Sequence, residues 1–126
     1  MSRNEVVLFV DDEANLLSAM RRILRREPYK VIFCSDPREA LKIVERDSVS
    51  VMVTDLCMPN MDGLTLVQKV KEKKPDVICM IFTANYDEES LLEAMHNGKI
   101  FCVIKKPLQS PTDLKDAIRK AIALHT

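Results

Sequence analysis

Five short apolar runs alternate with five amphipathic segments along the chain. Residues Val6–Val10, Lys30–Cys34, Val49–Thr54, 77–83 and 100–104 are rich in β-branched residues and almost continuously hydrophobic. Strands that bury both faces have this pattern, and such strands belong to parallel sheets. Between them the apolar positions recur at helical spacing. Leu16, Leu17, Met20, Ile23 and Leu24 form one stripe, with Pro28 soon after. Asp36 is placed to cap a second helix, with Pro37 at its first position, Glu39 in its first turn and Ala40, Leu41 and Val44 facing inward. Leu64, Leu66, Val67 and Val70 make a third, closed by Pro75. Leu91, Leu92 and Met95 make a fourth, with Gly98 at its C-cap, and residues 114–122 a fifth, started by Ser110-Pro111.

The alternation predicts one doubly wound α/β domain over residues 1–126, with a five-stranded parallel sheet flanked by five helices. In such sheets ligands bind beyond the carboxyl ends of the strands. Candidate chemistry is therefore sought there.

Composition narrows the field. A hydrophobic share of 47% in 126 residues argues against disorder and is enough for one core. Nineteen basic and nineteen acidic residues cancel, so no global field favours nucleic acid or an anionic membrane, and neither is expected as a partner. The apolar stretch 77–82 is too short to span a bilayer, and the polar opening residues do not resemble a signal peptide. A soluble, cytoplasmic protein is expected. Cys34, Cys57, Cys79 and Cys102 lie far apart, without a CxxC pair, and are expected to be reduced thiols rather than disulfides or zinc ligands.

Four of the five strand ends carry reactive groups. Asp11, Asp12 and Glu13 follow the first strand, and Asp55 follows the third. Thr83-Ala84-Asn85 ends the fourth, and Lys105-Lys106-Pro107 the fifth. Three carboxylates at one edge repel unless neutralised, and Mg²⁺ prefers one or two carboxylates with water and phosphate oxygens. A hydroxyl and an ammonium from neighbouring strands would then hold a phosphoryl group. Phosphoryl transfer consists mostly of positioning and charge neutralisation, and a carboxylate can be its nucleophile.

Taken in order, Leu8-Phe9-Val10-Asp11-Asp12-Glu13, the run from Thr54-Asp55 to Asp62-Gly63, Thr83-Ala84 and Lys106-Pro107 resemble the receiver domains of two-component response regulators. The resemblance covers the whole chain and implies the flavodoxin-like strand order 2-1-3-4-5. It implies that Asp55 accepts a phosphoryl group from a histidine kinase, a phosphotransfer protein or a small phosphodonor. Asp11, Asp12, Asp55 and the backbone carbonyl of Cys57 would hold Mg²⁺. Thr83 would bind a phosphoryl oxygen, and Lys106 would pair with Asp55 or its phosphate, aimed by a cis Lys106-Pro107 bond. Cys57 and Asn85 would set the lifetime of the acyl phosphate. Such a domain catalyses only its own phosphorylation and dephosphorylation. Its switching surface, and a possible homodimer contact, would be the face of helix four, strand five and helix five.

Simpler structural roles accompany these. Asp12 could cap the first helix as well as bind metal, Asp62-Gly63 is turn chemistry, Lys105 reads as a solvated neighbour and His96 as surface. One position departs from the family: Val103 stands where receivers carry an aromatic or histidine, and Phe101 is expected on the same strand face, roughly 6–7 Å further back. Residues 97–101 resemble a receiver subgroup often joined to cyclic-di-nucleotide phosphodiesterases or other signalling outputs. The alternative reading is a receiver-like interaction domain that works without phosphorylation. An aspartyl-phosphate hydrolase would commonly place a second Asp at Cys57. A nucleotide-binding module would need a glycine loop that two glycines cannot supply.

Overall fold

The computed structural model describes residues 5–125. Strands and helices alternate as β1 (Val6–Val10), α1 (Ala14–Leu24), β2 (Lys30–Cys34), α2 (Pro37–Arg46), β3 (Val49–Thr54), α3 (Gly63–Lys73), β4 (Ile78–Thr83), α4 (Glu89–His96), β5 (Cys102–Lys105) and α5 (Pro111–His125). All strand pairs are parallel, in the order β2-β1-β3-β4-β5. This is the expected flavodoxin-like architecture.

The sheet divides the core into two layers, because successive strand side chains face opposite ways. Leu8, Val10, Met52, Cys79 and Ile81 meet the inner faces of α2, α3 and α4. Val7, Phe9, Val51, Val53, Met80 and Phe82 meet α1 and α5. In the second layer Phe9 packs edge-on to Phe82 with centroids 6.1 Å apart. Each such fully buried side chain contributes about 1.5–3 kcal/mol by leaving water. Together they make the sheet a rigid base for its loops.

Local chemistry sets the helix starts. Asp36 accepts the Arg38 N–H ahead of Pro37, and Asp62 accepts the Thr65 N–H at the start of α3. Ser110 does the same for Thr112 at the start of α5. Asp12 does not cap α1: the N-cap is Glu13, without a side-chain cap bond. That frees the Asp12 carboxylate for another use.

Two strands differ from their expected bounds. Val77 belongs to a turn closed by its N–H bond to Lys74, so β4 starts at Ile78. Gly98, with φ of 76°, and Lys99 still bond back to the carbonyls of α4, so β5 starts late and runs on to Lys105. The same turn overturns the expected placing of Phe101. Phe101 precedes the strand and packs with the α1–α5 layer, whereas Val103 packs with the opposite layer. Strand alternation does not extend back to Phe101, so its ring is not a substitute on the Val103 face.

All four cysteines are free thiols. Burial pushes the Cys102 thiol up to about 11 and that of Cys79 up to about 12, which keeps both protonated and unreactive. Among the described residues, no helix is long and apolar enough to cross a membrane.

Candidate functional site

Asp11, Asp55 and Lys106 are each held by one more backbone bond just beyond the end of a strand. The Asp11 N–H donates to Cys34, that of Asp55 to Val10 and that of Lys106 to Thr83, each at 3.0 Å. The strand register brings Val10 beside Thr54 and Thr83 beside Lys105. Residues distant in sequence therefore share one edge of the sheet.

Asp11, Asp12 and Asp55 each place a carboxylate oxygen within 4.8 Å of the others. Asp11 is fully buried, Asp55 nearly so, and Asp12 lies exposed at the rim. The Lys106 Nζ is 2.8 Å from Asp11 Oδ2, 3.2 Å from Asp55 Oδ2 and 3.2 Å from Glu13 Oε1. Its ammonium also lies 5.4 Å from the centre of the Phe82 ring, close enough for a cation–π contact. The Lys106-Pro107 peptide is cis.

The remaining oxygens of the two buried acids are fixed from the backbone. Asp11 Oδ1 accepts the Glu13 N–H at 2.9 Å, and Asp55 Oδ1 accepts the Leu56 N–H at 2.7 Å. Burial pushes the Asp11 carboxyl above its ordinary value; the Lys106 hydrogen bond opposes this without cancelling it. For Lys106, burial pulls the ammonium down, but its bond to Asp11 and the charges of Asp11 and Asp55 prevail and hold it above its ordinary value. Lys106 is thus a fixed cation, and three carboxylates share it. That excess of negative charge in a set of hard oxygen donors fits a divalent cation such as Mg²⁺.

Thr83 is fully buried, with its hydroxyl accepting the Asn85 N–H at 3.1 Å. Asn85 Nδ2 donates to the exposed Cys57 Sγ at 3.3 Å, which ties the loop after β4 to the loop after β3. Lys105 points away from the acids, its ammonium 4.7 Å from the centre of the Tyr86 ring. Gly63 starts α3 directly against the Asp55 backbone: a β-carbon there would stand 2.1 Å from the Asp55 carbonyl oxygen.

The contacts of Glu13, Gly63 and Tyr86 were not legible in the sequence. Glu13 adjoins the Asp11-Asp12 pair, which was visible, but nothing local marks its contact with Lys106.

The model of the response regulator receiver domain matches residues 7–119. The hydrogenase transcriptional regulatory protein HoxA of Bradyrhizobium diazoefficiens is 30% identical over 125 residues, covering 99% of this chain and 25% of that protein. This chain thus spans about a quarter of that relative's length. Among solved structures, TrrA of Thermotoga maritima in complex with Mg(2+)-BeF aligns with a TM-score of 0.81 at 25% identity, covering 93% of this chain and 98% of that one. The beryllofluoride-activated NtrC4 receiver domain dimer aligns with a TM-score of 0.87 at 28% identity, covering 96% of this chain and 98% of that one. The chain belongs to the response regulator receiver domain family.

Proposed function

We propose that this receiver domain performs its family's phosphoryl acceptance at Asp55 and uses the modification to switch a partner or dimer surface. The observation that carries this reading is the convergence of Lys106 on Asp11 and Asp55 beside a third carboxylate. An Asp55 oxygen would attack the phosphorus of the donor. The phosphorus–oxygen bond of an acyl phosphate donor, or the phosphorus–nitrogen bond of a phosphohistidine, would break, and the leaving group would keep the electron pair.

Asp11, Asp12, Asp55 and the Cys57 carbonyl would hold Mg²⁺, which when bound neutralises charge on the transferring phosphoryl oxygens. The rest falls to the chain. The Leu56 N–H orients the nucleophile, Lys106 stabilises the added charge, and Thr83 would release Asn85 to bind a phosphoryl oxygen. Charge-assisted bonds of this kind are worth roughly twice neutral ones, which supplies the differential contact a switch needs.

The α4–β5–α5 face suits the output. Leu92 is 53% exposed and Met95 38%, and only Leu91 anchors α4 as a fully buried side chain. A helix so lightly held can move at modest cost. The NtrC4 receiver, a dimer when activated, supports a homodimer for this chain, and the exposed apolar side chains of α4 make this face the proposed contact. The donor would be a sensor histidine kinase or a phosphotransfer protein, and the setting the cytoplasm. The absence of an aromatic at Val103 leaves movement of the loop after β4 as the route from Thr83 to α4.

Intact-protein mass spectrometry after incubation with Mg²⁺ and acetyl phosphate tests the assignment. One labile phosphoryl group, taken up only when Mg²⁺ is present and absent in Asp55→Asn, is expected. Uptake that persists in Asp55→Asn would place the acceptor elsewhere.

A further inference from the structure

The Lys106 ammonium is a cation held largely out of water. It donates hydrogen bonds to Asp11 and Glu13. Its contact with Asp55 at 3.2 Å is an ion pair without a hydrogen bond. One of its three N–H groups is therefore left for a phosphoryl oxygen on Asp55. The side chain is only 13% exposed, so water supplies little of what keeps the ammonium in place.

The Phe82 ring completes its surroundings. The ammonium lies over that ring, 5.4 Å from its centre. The electron-rich face of an aromatic ring attracts a cation, most strongly where water is excluded. It does so without tying an N–H to a fixed direction, as a carboxylate oxygen would. The ring is itself packed in place. It is 1% exposed and meets Phe9 edge-on at 6.1 Å, with Phe9 in turn 6.0 Å from Phe33. A leucine there would fill much of the same space but offer the ammonium no polar face.

We infer that Phe82 is a positioning residue: its ring holds the Lys106 ammonium beside Asp55 while leaving an N–H free for the incoming phosphoryl group. This rests on the proposed role of Asp55. A side chain in the core of the sheet thereby takes part in the reaction through the lysine. What counts at position 82 is the charge distribution of the ring as well as its volume.

The test replaces Phe82 with mono-, di- and trifluorinated phenylalanine, which draw electron density from the ring face and barely alter its size. Each is made with Lys106 and with Lys106→Ala. The rate of phosphorylation by acetyl phosphate at saturating Mg²⁺ should fall with every added fluorine. The trifluoro ring should react roughly twofold to fivefold more slowly than wild type, the size of a weak cation–π contact. In Lys106→Ala the series should be flat, with beryllofluoride affinity compared across both sets where the rate is too slow to follow. Urea denaturation of the same proteins needs no phosphoryl chemistry. There the trifluoro ring should lower the folding equilibrium constant roughly twofold to fivefold more with Lys106 than with Lys106→Ala. A rate that ignores fluorination overturns the inference, and so does an equal urea shift in both backgrounds. A slope that persists in Lys106→Ala also overturns it, by marking a change in core packing. Failure of the wild type to take any phosphoryl group is a separate result that counts against the assignment of Asp55, and the urea comparison still decides whether the ring holds the ammonium.

Discussion

Gly63 and Asp55 touch through their backbones: the Gly63 N–H donates to Leu56 O at 2.7 Å, and a β-carbon on Gly63 would overlap the Asp55 carbonyl oxygen at 2.1 Å. The start of α3 is therefore seated on the peptide that presents the candidate nucleophile. Its φ is not in the left-handed region, so the requirement is space rather than backbone freedom. Gly63→Ala should force the backbone apart, lower stability by about 1–3 kcal/mol and slow phosphorylation by displacing Asp55. Urea denaturation and the acetyl phosphate rate read the two effects.

Asp11 should be a case of function held against stability. Burial raises its carboxyl above 3.8, so the folded protein binds that proton more tightly than the unfolded chain does. The resulting stabilisation is present below pH 3.8 and is lost as pH rises through the raised folded value. At neutral pH the ionised group works against the fold. Asp11→Asn should therefore unfold at higher temperature near pH 7, by a gain of about 0.5–2 kcal/mol, and the gain should disappear in acid. The same variant should bind Mg²⁺ poorly, which calorimetry would register.

The Asn85–Cys57 contact closes one side of the site. Removing it with Cys57→Ala or Asn85→Ala should open a path for water and shorten the phosphoryl lifetime, with little change in stability. Loss of phosphate after rapid removal of the donor measures this. An unchanged lifetime in both variants would deny the contact that role.

Tyr86 offers a readout of switching. The chain has two tyrosines and no tryptophan. Tyr29 is buried with its hydroxyl on Glu27, while Tyr86 is 40% exposed and stacks on Lys105 in the loop after Thr83. Inward movement of that loop should disturb the stacking and change tyrosine emission when Mg²⁺ and beryllofluoride are added. Tyr86→Phe should abolish most of the change, and Tyr29→Phe should not.

The strands followed from periodicity, because buried parallel strands are hard to mistake when each is followed by an amphipathic helix; their order in the sheet came from the family resemblance. The converging acids, Thr83 and Lys106 were visible for the same reason: strand ends in this topology share an edge. Phe101 was misplaced because strand alternation holds only inside the ladder, and the Gly98 turn delays the start of β5. Glu13 lies 93 residues from Lys106, and an ion pair across that distance leaves no local trace. Gly63 looked like a turn residue, since contact with another segment's carbonyl is not written in its neighbours.

The central claim is that Asp55 itself carries the phosphate. Borohydride reduction of the Mg²⁺- and acetyl phosphate-treated protein converts an aspartyl phosphate to homoserine, which peptide mass spectrometry then locates. Homoserine at position 55, and its absence when Mg²⁺ or donor is left out, is the predicted result. Homoserine at Asp11, Asp12 or any other position, with Asp55 intact, would contradict the account.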